Sequence, residues 1–153
     1  VVSKSFVLLH EQLRLRIIVV ESDFCPGSPQ ILGDANRLEQ VLVNLITNAR
    51  DALRDVSNPK LTVSTTRTDD QKIVIDLADN GSGISKENLE KIFNPFFTTK
   101  EVGKGTGLGL SIAHSIIKEH KGEIVCQSQV GQGTKFQITL SVYEIENLNI
   151  KTG

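Results

Sequence analysis

Methionine and tryptophan are absent from this 153-residue chain, which has only two cysteines, four prolines and one tyrosine. With no methionine, even at Val1, the segment reads as a domain cut from a longer protein. Cys25 and Cys126 stand alone, without a CxxC pair or a Cys/His ligand spacing. That pattern speaks against a disulfide framework and a zinc site, and both thiols read as small buried apolar residues in a reducing compartment. Charge of one sign is lacking as well: 17 Lys and Arg stand against 18 Asp and Glu, a net charge of -1. The chain therefore has no basic excess with which to neutralise a nucleic-acid backbone or coat an anionic membrane. No apolar run approaches the ~20 residues that span a bilayer, and no signal-peptide pattern opens the chain. At this length and 39% hydrophobic content, one globular domain with an ordinary core is expected.

What is present is strongly patterned. Phe6, Leu9 and Leu13 share a helical face, and the β-branched run Ile17 to Val20 suits a strand. Cys25-Pro26-Gly27-Ser28-Pro29 is turn chemistry. Leu38, Val41, Leu42, Leu45, Ile46, Ala49, Ala52 and Leu53 recur at intervals of three and four, which predicts a long core-facing helix capped by Asp34 or Asn36 and ended by Asn58-Pro59. The alternations Leu61, Val63, Thr65 and Ile73, Ile75, Leu77 across Asp69-Asp70 predict an antiparallel hairpin. A glycine-rich, aperiodic stretch runs from Asp79 to about Gly107, followed by a helix bearing Ile112, Ala113, Ile116 and Ile117 that Gly122 breaks. Ile124 to Gln129 and Phe136 to Val142, across Gly131-Gln132-Gly133, form a second hairpin, and a polar tail begins at Tyr143. These elements add up to an α+β two-layer sandwich: a mixed, mostly antiparallel sheet covered on one face by helices.

Three segments carry chemistry. On the long helix Asn44, Asn48 and Asp51 share a stripe bordering the apolar face. Alone, such a stripe is an ordinary solvated edge. In company it suits a metal-chelated polyanion, because an amide oxygen is a hard ligand for Mg²⁺ and brings no charge to repel phosphate; Asn48 is the first choice of ligand. Asp79-Asn80-Gly81-Ser82-Gly83-Ile84 follows a strand, so an acid sits at the strand end with glycines that let backbone approach a flat base. A carboxylate only accepts hydrogen bonds, which suits the amino group of adenine and opposes the carbonyl of guanine. Alone, the motif would be a hairpin turn. Gly103-Lys104-Gly105-Thr106-Gly107-Leu108-Gly109-Leu110 places four glycines at alternate positions ahead of a helix, where N–H groups can face phosphate. It is neither a Rossmann nor a Walker A loop, since no strand precedes it and Gly105 follows Lys104. Between the glycine segments, Ile92-Phe93-Asn94-Pro95-Phe96-Phe97 and Thr98-Thr99-Lys100 suggest a lid with hydroxyls and a cation at its end, or core out of place.

In this order the segments resemble the ATP-binding domain of sensor histidine kinases, within the superfamily shared with gyrase B subunits, mismatch-repair ATPases and ATP-dependent chaperones, on the Bergerat fold. NLITNARDAL from Asn44 to Leu53 is similar to the family's N box, DNGSGI at 79–84 to its first glycine box, IFNPFFTTK at 92–100 to its phenylalanine box, and GKGTGLGLSI at 103–112 to its second glycine box. The likeness covers about residues 1–142, leaving 143–153 as a tail. It implies that Asn44 and Asn48 hold Mg²⁺ and phosphates, that Asp79 binds the adenine amino group, and that Gly81, Gly83 and Ile84 border the base. It further implies that Phe93, Thr99 and Lys100 serve the lid side. Gly103, Gly105, Thr106, Gly107, Leu108, Gly109 and Leu110 would surround the phosphate tail, and Thr134 would support Asp79. Asn44 and Lys100 would act at the transfer step. Asp51 departs from the family, many members of which carry a basic residue there; NARDAL resembles the nitrogen-regulatory and dicarboxylate-sensing branch.

The resemblance implies that Mg·ATP donates its γ-phosphoryl group to a histidine on a separate dimerisation domain, in two-component signalling that passes onward to a response regulator. Because an amide takes no proton, Asn44 favours transfer over the hydrolysis of relatives with glutamate there. Alternatives are an ATP-hydrolysing or serine-kinase relative, or a nucleotide-binding module without catalysis. The expected setting is cytoplasmic, without nucleic acid or direct membrane contact, monomeric as a domain and homodimeric in the full protein. His10 reads as a solvated helix position and not the acceptor. His114 lies off the apolar face, and His120 sits where an imidazolium would suit a helix C-terminus.

Overall fold

The structure, a computed structural model, describes residues 2–3 and 18–144. Five strands form one sheet in the order β1-β2-β3-β5-β4: β1 Val19–Phe24, β2 Lys60–Arg67, β3 Lys72–Asp79, β4 Glu123–Gln129 and β5 Gly133–Ser141. Helices α1 Ala35–Ala52, α2 Lys86–Leu89 and α3 Gly109–Glu119 accompany it among the described residues. β1 runs parallel to β2, a pairing that requires a crossover, and α1 supplies it. The other pairings are antiparallel and include both predicted hairpins. The α+β sandwich with a mixed sheet is therefore the fold observed.

One face of the sheet is apolar. Leu61, Val63, Ile73, Ile75, Leu77, Phe136, Ile138 and Leu140 alternate inward and meet Leu38, Val41, Leu42, Leu45, Ile46 and Ala49 of α1 and Ala113, Ile116 and Ile117 of α3. Leu45, Leu61, Leu77, Ile116 and Ile117 are almost wholly shielded, each contributing roughly 1.5–3 kcal/mol by leaving water. The opposite face is polar: Gln137 Nε2 donates to Asp76 Oδ1 at 2.9 Å, and Lys135 Nζ pairs with Asp76 Oδ2 at 3.1 Å.

Several boundaries differ from the sequence reading. The strand placed at Ile17 to Val20 begins at Val19 and continues to Phe24; Ile17, and the helix expected over Phe6 to Leu13, lie outside the described residues. Asp34 is the N-cap of α1, its Oδ1 accepting from the N–H of Asn36 (2.9 Å) and Arg37 (3.2 Å). The helix stops at Ala52, ahead of Asn58-Pro59, because Leu53 caps it. At the end of α3 the left-handed residue is Lys121 (φ 56°) and not Gly122. Lys121 N–H bonds Lys118 O and Gly122 N–H bonds Ile117 O, a Schellman closure. Gly122 is small for another reason: a Cβ there would meet Leu140 Cδ2 at 2.6 Å. The described tail stays attached, since Tyr143 N–H donates to Gln30 O at 2.7 Å and Glu144 pairs with Arg67 at 2.9 Å.

Candidate functional site

With 3.6 residues per turn, Asn44, Asn48 and Asp51 fall within about 60° of one another around α1. Loops distant in sequence meet that stripe in order. Asn44 Nδ2 donates to Gly109 O at 2.9 Å, joining the helix to the first residue of α3. Asp51 Oδ2 accepts from Lys100 Nζ at 2.6 Å, joining it to the loop after the phenylalanine segment. One residue further, Ala52 O accepts from Ser82 N–H at 3.2 Å, joining it to the loop after Asp79. No hydrogen bond to the Asn48 side chain occurs among the described residues, so its amide is open to a ligand.

Asp79 closes β3 opposite Thr134 of β5. The residue is 8% exposed, and its Oδ1 accepts from Gly81 N–H at 2.8 Å. Burial pushes this carboxyl above its ordinary value, only partly offset by N–H donors from Gly81 and Thr134. No ion pair to Asp79 occurs among the described residues. A buried carboxylate with main-chain donors but no cation partner at a strand end has the chemistry to accept a further hydrogen bond from a ligand.

The glycines after Asp79 have an internal reason. A Cβ on Gly81 would meet Ala52 O at 2.7 Å, and Gly83 (φ 74°) lies against the Gln129 carbonyl, where no side chain fits. They press the loop between the end of α1 and the β4–β5 hairpin, which fixes Asp79. Asn80 is structural: Oδ1 accepts from Lys60 N–H (2.7 Å) and Nδ2 donates to Asn58 O (2.8 Å).

Ser128 was not singled out from the sequence, yet it ties this end together. Ile84 N–H donates to its Oγ at 2.8 Å, its Oγ bonds Gly133 O at 2.8 Å, and Thr134 Oγ1 lies 2.8 Å away. With the single Ser128 proton given to Gly133, Thr134 is left as the donor of the last bond. Only the hairpin register, which pairs Ser128 with Thr134, reveals this role. Cys126 lies nearby; burial and the Asp79 charge push its thiol up to about 12, so it behaves as an inert, half-buried residue.

The phenylalanine segment is mostly core. Ile92 is buried, Phe93 and Phe97 pack against the core, and the Phe93 ring lies 5.1 Å from that of His114. Only Phe96 stands clear, 74% exposed at φ 66°. The lid expected here therefore reduces to the loop beyond it. Gly107 (φ 68°) rests directly on the Phe96 backbone, where no side chain fits. At the N-terminus of α3, Leu108 provides no side-chain cap, which leaves the first N–H groups for an anion. Lys100 reaches Asp51, and Thr98 Oγ1 accepts from Lys100 N–H at 3.1 Å; Thr99, Gly103 and Thr106 line the same loop. His10 lies outside the described residues. His120 bridges two elements: its Nδ1 meets Ile116 O at 2.7 Å and its Nε2 accepts from Asp34 N–H at 3.0 Å.

Among the described residues no group of three or more His, Cys, Asp or Glu is placed to hold a metal, and no helix is long and apolar enough to cross a membrane. A divalent ion here would depend on amide oxygens and on oxygens of its own ligand. That fits Mg²⁺, which keeps few protein ligands beside substrate phosphates, and the open Asn48 amide is suited to it.

Residues 33–144 match the family model described as "Histidine kinase-, DNA gyrase B-, and HSP90-like ATPase". Sporulation kinase E of Bacillus subtilis (strain 168) is 38% identical over 88% of this chain and 18% of its own length. Sensor kinase CckA of Brucella abortus (strain 2308) is 47% identical over 72% of the chain and 13% of its own. The chain thus spans less than a fifth of these relatives. The catalytic domain of histidine kinase ThkA superposes with a TM-score of 0.79 at 33% identity, covering 92% of this chain and 90% of that one. The same kinase in complex with response regulator protein TrrA matches with a TM-score of 0.76 at 29% identity, over 93% of this chain and 39% of that one.

Proposed function

The chain belongs to the histidine kinase-, DNA gyrase B- and HSP90-like ATPase family, as a catalytic domain of the histidine kinase kind, and from that premise we propose that it binds Mg·ATP and donates the γ-phosphoryl group to a histidine on a separate dimerising domain. The observation that carries this reading is the stripe of α1 on which Gly109 and Lys100 converge through Asn44 and Asp51, 65 and 49 residues away in the chain, while Ser82, in the loop after Asp79, bonds the main-chain carbonyl of Ala52 at the helix end. Asp79 accepts from the adenine amino group, with Gly81, Gly83, Ile84 and Thr134 holding it in place. Lys100 and the uncapped N–H groups of α3 neutralise phosphate charge, beside Gly105, Gly107 and Leu110. Asn48, with Asn44, holds Mg²⁺, which supplies charge neutralisation on the phosphates when bound.

Catalysis in this setting is positioning and electrostatics, with little covalent work for the protein. Asn44 has no proton-accepting group, which favours transfer over activation of water. In the whole protein the phosphoryl group would pass to a response regulator, in a cytoplasmic homodimer, with the isolated domain monomeric and free of nucleic-acid or membrane contact. Placement in the nitrogen-regulatory or dicarboxylate-sensing branch rests on the NARDAL form alone.

Calorimetric titration tests the site. The parent should bind ATP more tightly with Mg²⁺ than without it, and Asn48→Ala should erase that difference. An intact fold that ignores adenine nucleotides with metal present would end the reading, and an Asn48→Ala variant that keeps the metal enhancement would move the ligand elsewhere.

A further inference from the structure

Resting on the nucleotide reading above, we infer that Asp51 is a positioning residue and not a phosphate or metal ligand: it docks the Lys100 ammonium on the Asn44–Asn48 stripe of α1, where the cation meets the phosphates of the nucleotide. A carboxylate offers only lone pairs, and beside a polyphosphate it repels. Paired with an ammonium it changes character. Lysine carries three N–H donors, of which Asp51 takes one, so two stay available to phosphate oxygens.

Lys100 is held at three points. Its own N–H donates to Thr98 Oγ1 at 3.1 Å, which turns the chain. Its stem runs past Gly105, where a Cβ would meet Lys100 Cδ at 2.8 Å and Cβ at 3.2 Å. Its Nζ lies 2.6 Å from Asp51 Oδ2, in a pair whose side chains are 35% and 18% exposed. Gly105 therefore has a use beyond facing phosphate, since it leaves room for the lysine stem to reach the helix. Arg50 also faces Asp51, with its NH2 group 3.5 Å from Oδ1, and Arg54 adds positive charge at the same helix end. Burial raises the Asp51 carboxyl, but the Lys100 hydrogen bond and charge, with Arg50 and Arg54, outweigh it and hold the group below its ordinary value. The anchor is thus ionised across the neutral range. Released from it, Lys100 sits on a segment with glycines at 103, 105 and 107 and has no other acidic partner among the described residues.

The test is a double-mutant cycle read by calorimetry with Mg·ATP, Mg·ADP and adenosine, using Asp51→Ala, Lys100→Met and the double variant. Asp51→Ala should weaken ATP and ADP about five- to tenfold, the range of a partly shielded charged hydrogen bond, and leave adenosine unchanged. In the Lys100→Met background the same substitution should change nothing, because Asp51 acts through Lys100. Asp51→Glu should recover part of the loss. Equal losses in both backgrounds, a loss that extends to adenosine, or tighter ATP binding by Asp51→Ala would each overturn the inference. Should Asp51→Ala fail to fold, Asp51→Asn keeps the shape and removes the charge, and the same cycle applies. A parent that binds no nucleotide overturns the nucleotide reading itself, whereas a parent that binds ATP alongside an indifferent Asp51→Ala overturns only this inference.

Discussion

A buried carboxylate without a cation costs folding free energy, and Asp79 is held in that state by the loop and strand around it. Its folded-state value is raised, so its contribution to stability is fully present below the ordinary value of 3.8 and is lost as pH rises through the raised value. Asp79→Asn removes the titration yet keeps an oxygen to accept from Gly81 N–H. The variant should therefore melt higher than the ligand-free parent at neutral pH, with the gap closing as pH falls. The same change should cost about 1.5–3 kcal/mol of ATP affinity, the range for a lost hydrogen bond to a charged group. Thermal melts across pH, paired with calorimetry, read both effects. A variant less stable than the parent at neutral pH would mean that Asp79 is a structural acceptor, and unchanged affinity would remove its adenine role. The raised value also predicts that ATP affinity in the parent declines on acidification, as Asp79 gains its proton above its ordinary value.

At the scale of elements, one clamp sets how α1 and α3 lie. The His120 ring bridges the end of α3 to Asp34 N–H at the start of α1, and Arg37 pairs with Glu119 at 2.7 Å beside it. The ring fits only because residue 33 lacks a side chain: a Cβ there would meet His120 Nε2 at 2.7 Å and crowd the ring edge. Gly33→Ala should cost about 1–2 kcal/mol in chemical unfolding, the worth of a bond whose loss leaves a donor unmade. In a His120→Ala background it should cost close to nothing, and similar losses in both backgrounds would locate the effect in the backbone and not in the ring. Such contacts also mark the limit of what the sequence could show. Periodicity revealed α1, α3 and both hairpins, because burial on one face writes itself into spacing. It misjudged the end of α1, because Ala52 and Leu53 continue the apolar pattern while Ala52 O is claimed by Ser82, 30 residues on. The motifs named Asn44, Asn48, Asp79 and the glycines, yet Ser128 was invisible, since a serine on a strand acquires a role only through its register. His120 and Gly33 likewise meet only in three dimensions.

For the whole molecule the question is what a donor does without its acceptor. The chain spans 18% and 13% of two kinase relatives, so most of such a protein lies beyond the part that resembles this one. On the proposed reading the described residues bring together the groups that would hold and neutralise a nucleotide, but at the Asn44 position they offer an amide that cannot take a proton from water. Phosphoryl transfer to a side chain gains most from holding donor and acceptor together, an advantage an isolated domain cannot have. The purified chain should therefore bind ATP and turn it over slowly, and a separately supplied helical hairpin bearing the acceptor histidine should become phosphorylated on mixing. Replacing that histidine should abolish the label without changing ATP affinity. Steady hydrolysis by the domain alone, lost in Asn44→Ala, would instead assign it to the water-activating relatives. Binding without transfer to any such hairpin would instead make the chain a nucleotide-binding module without catalysis.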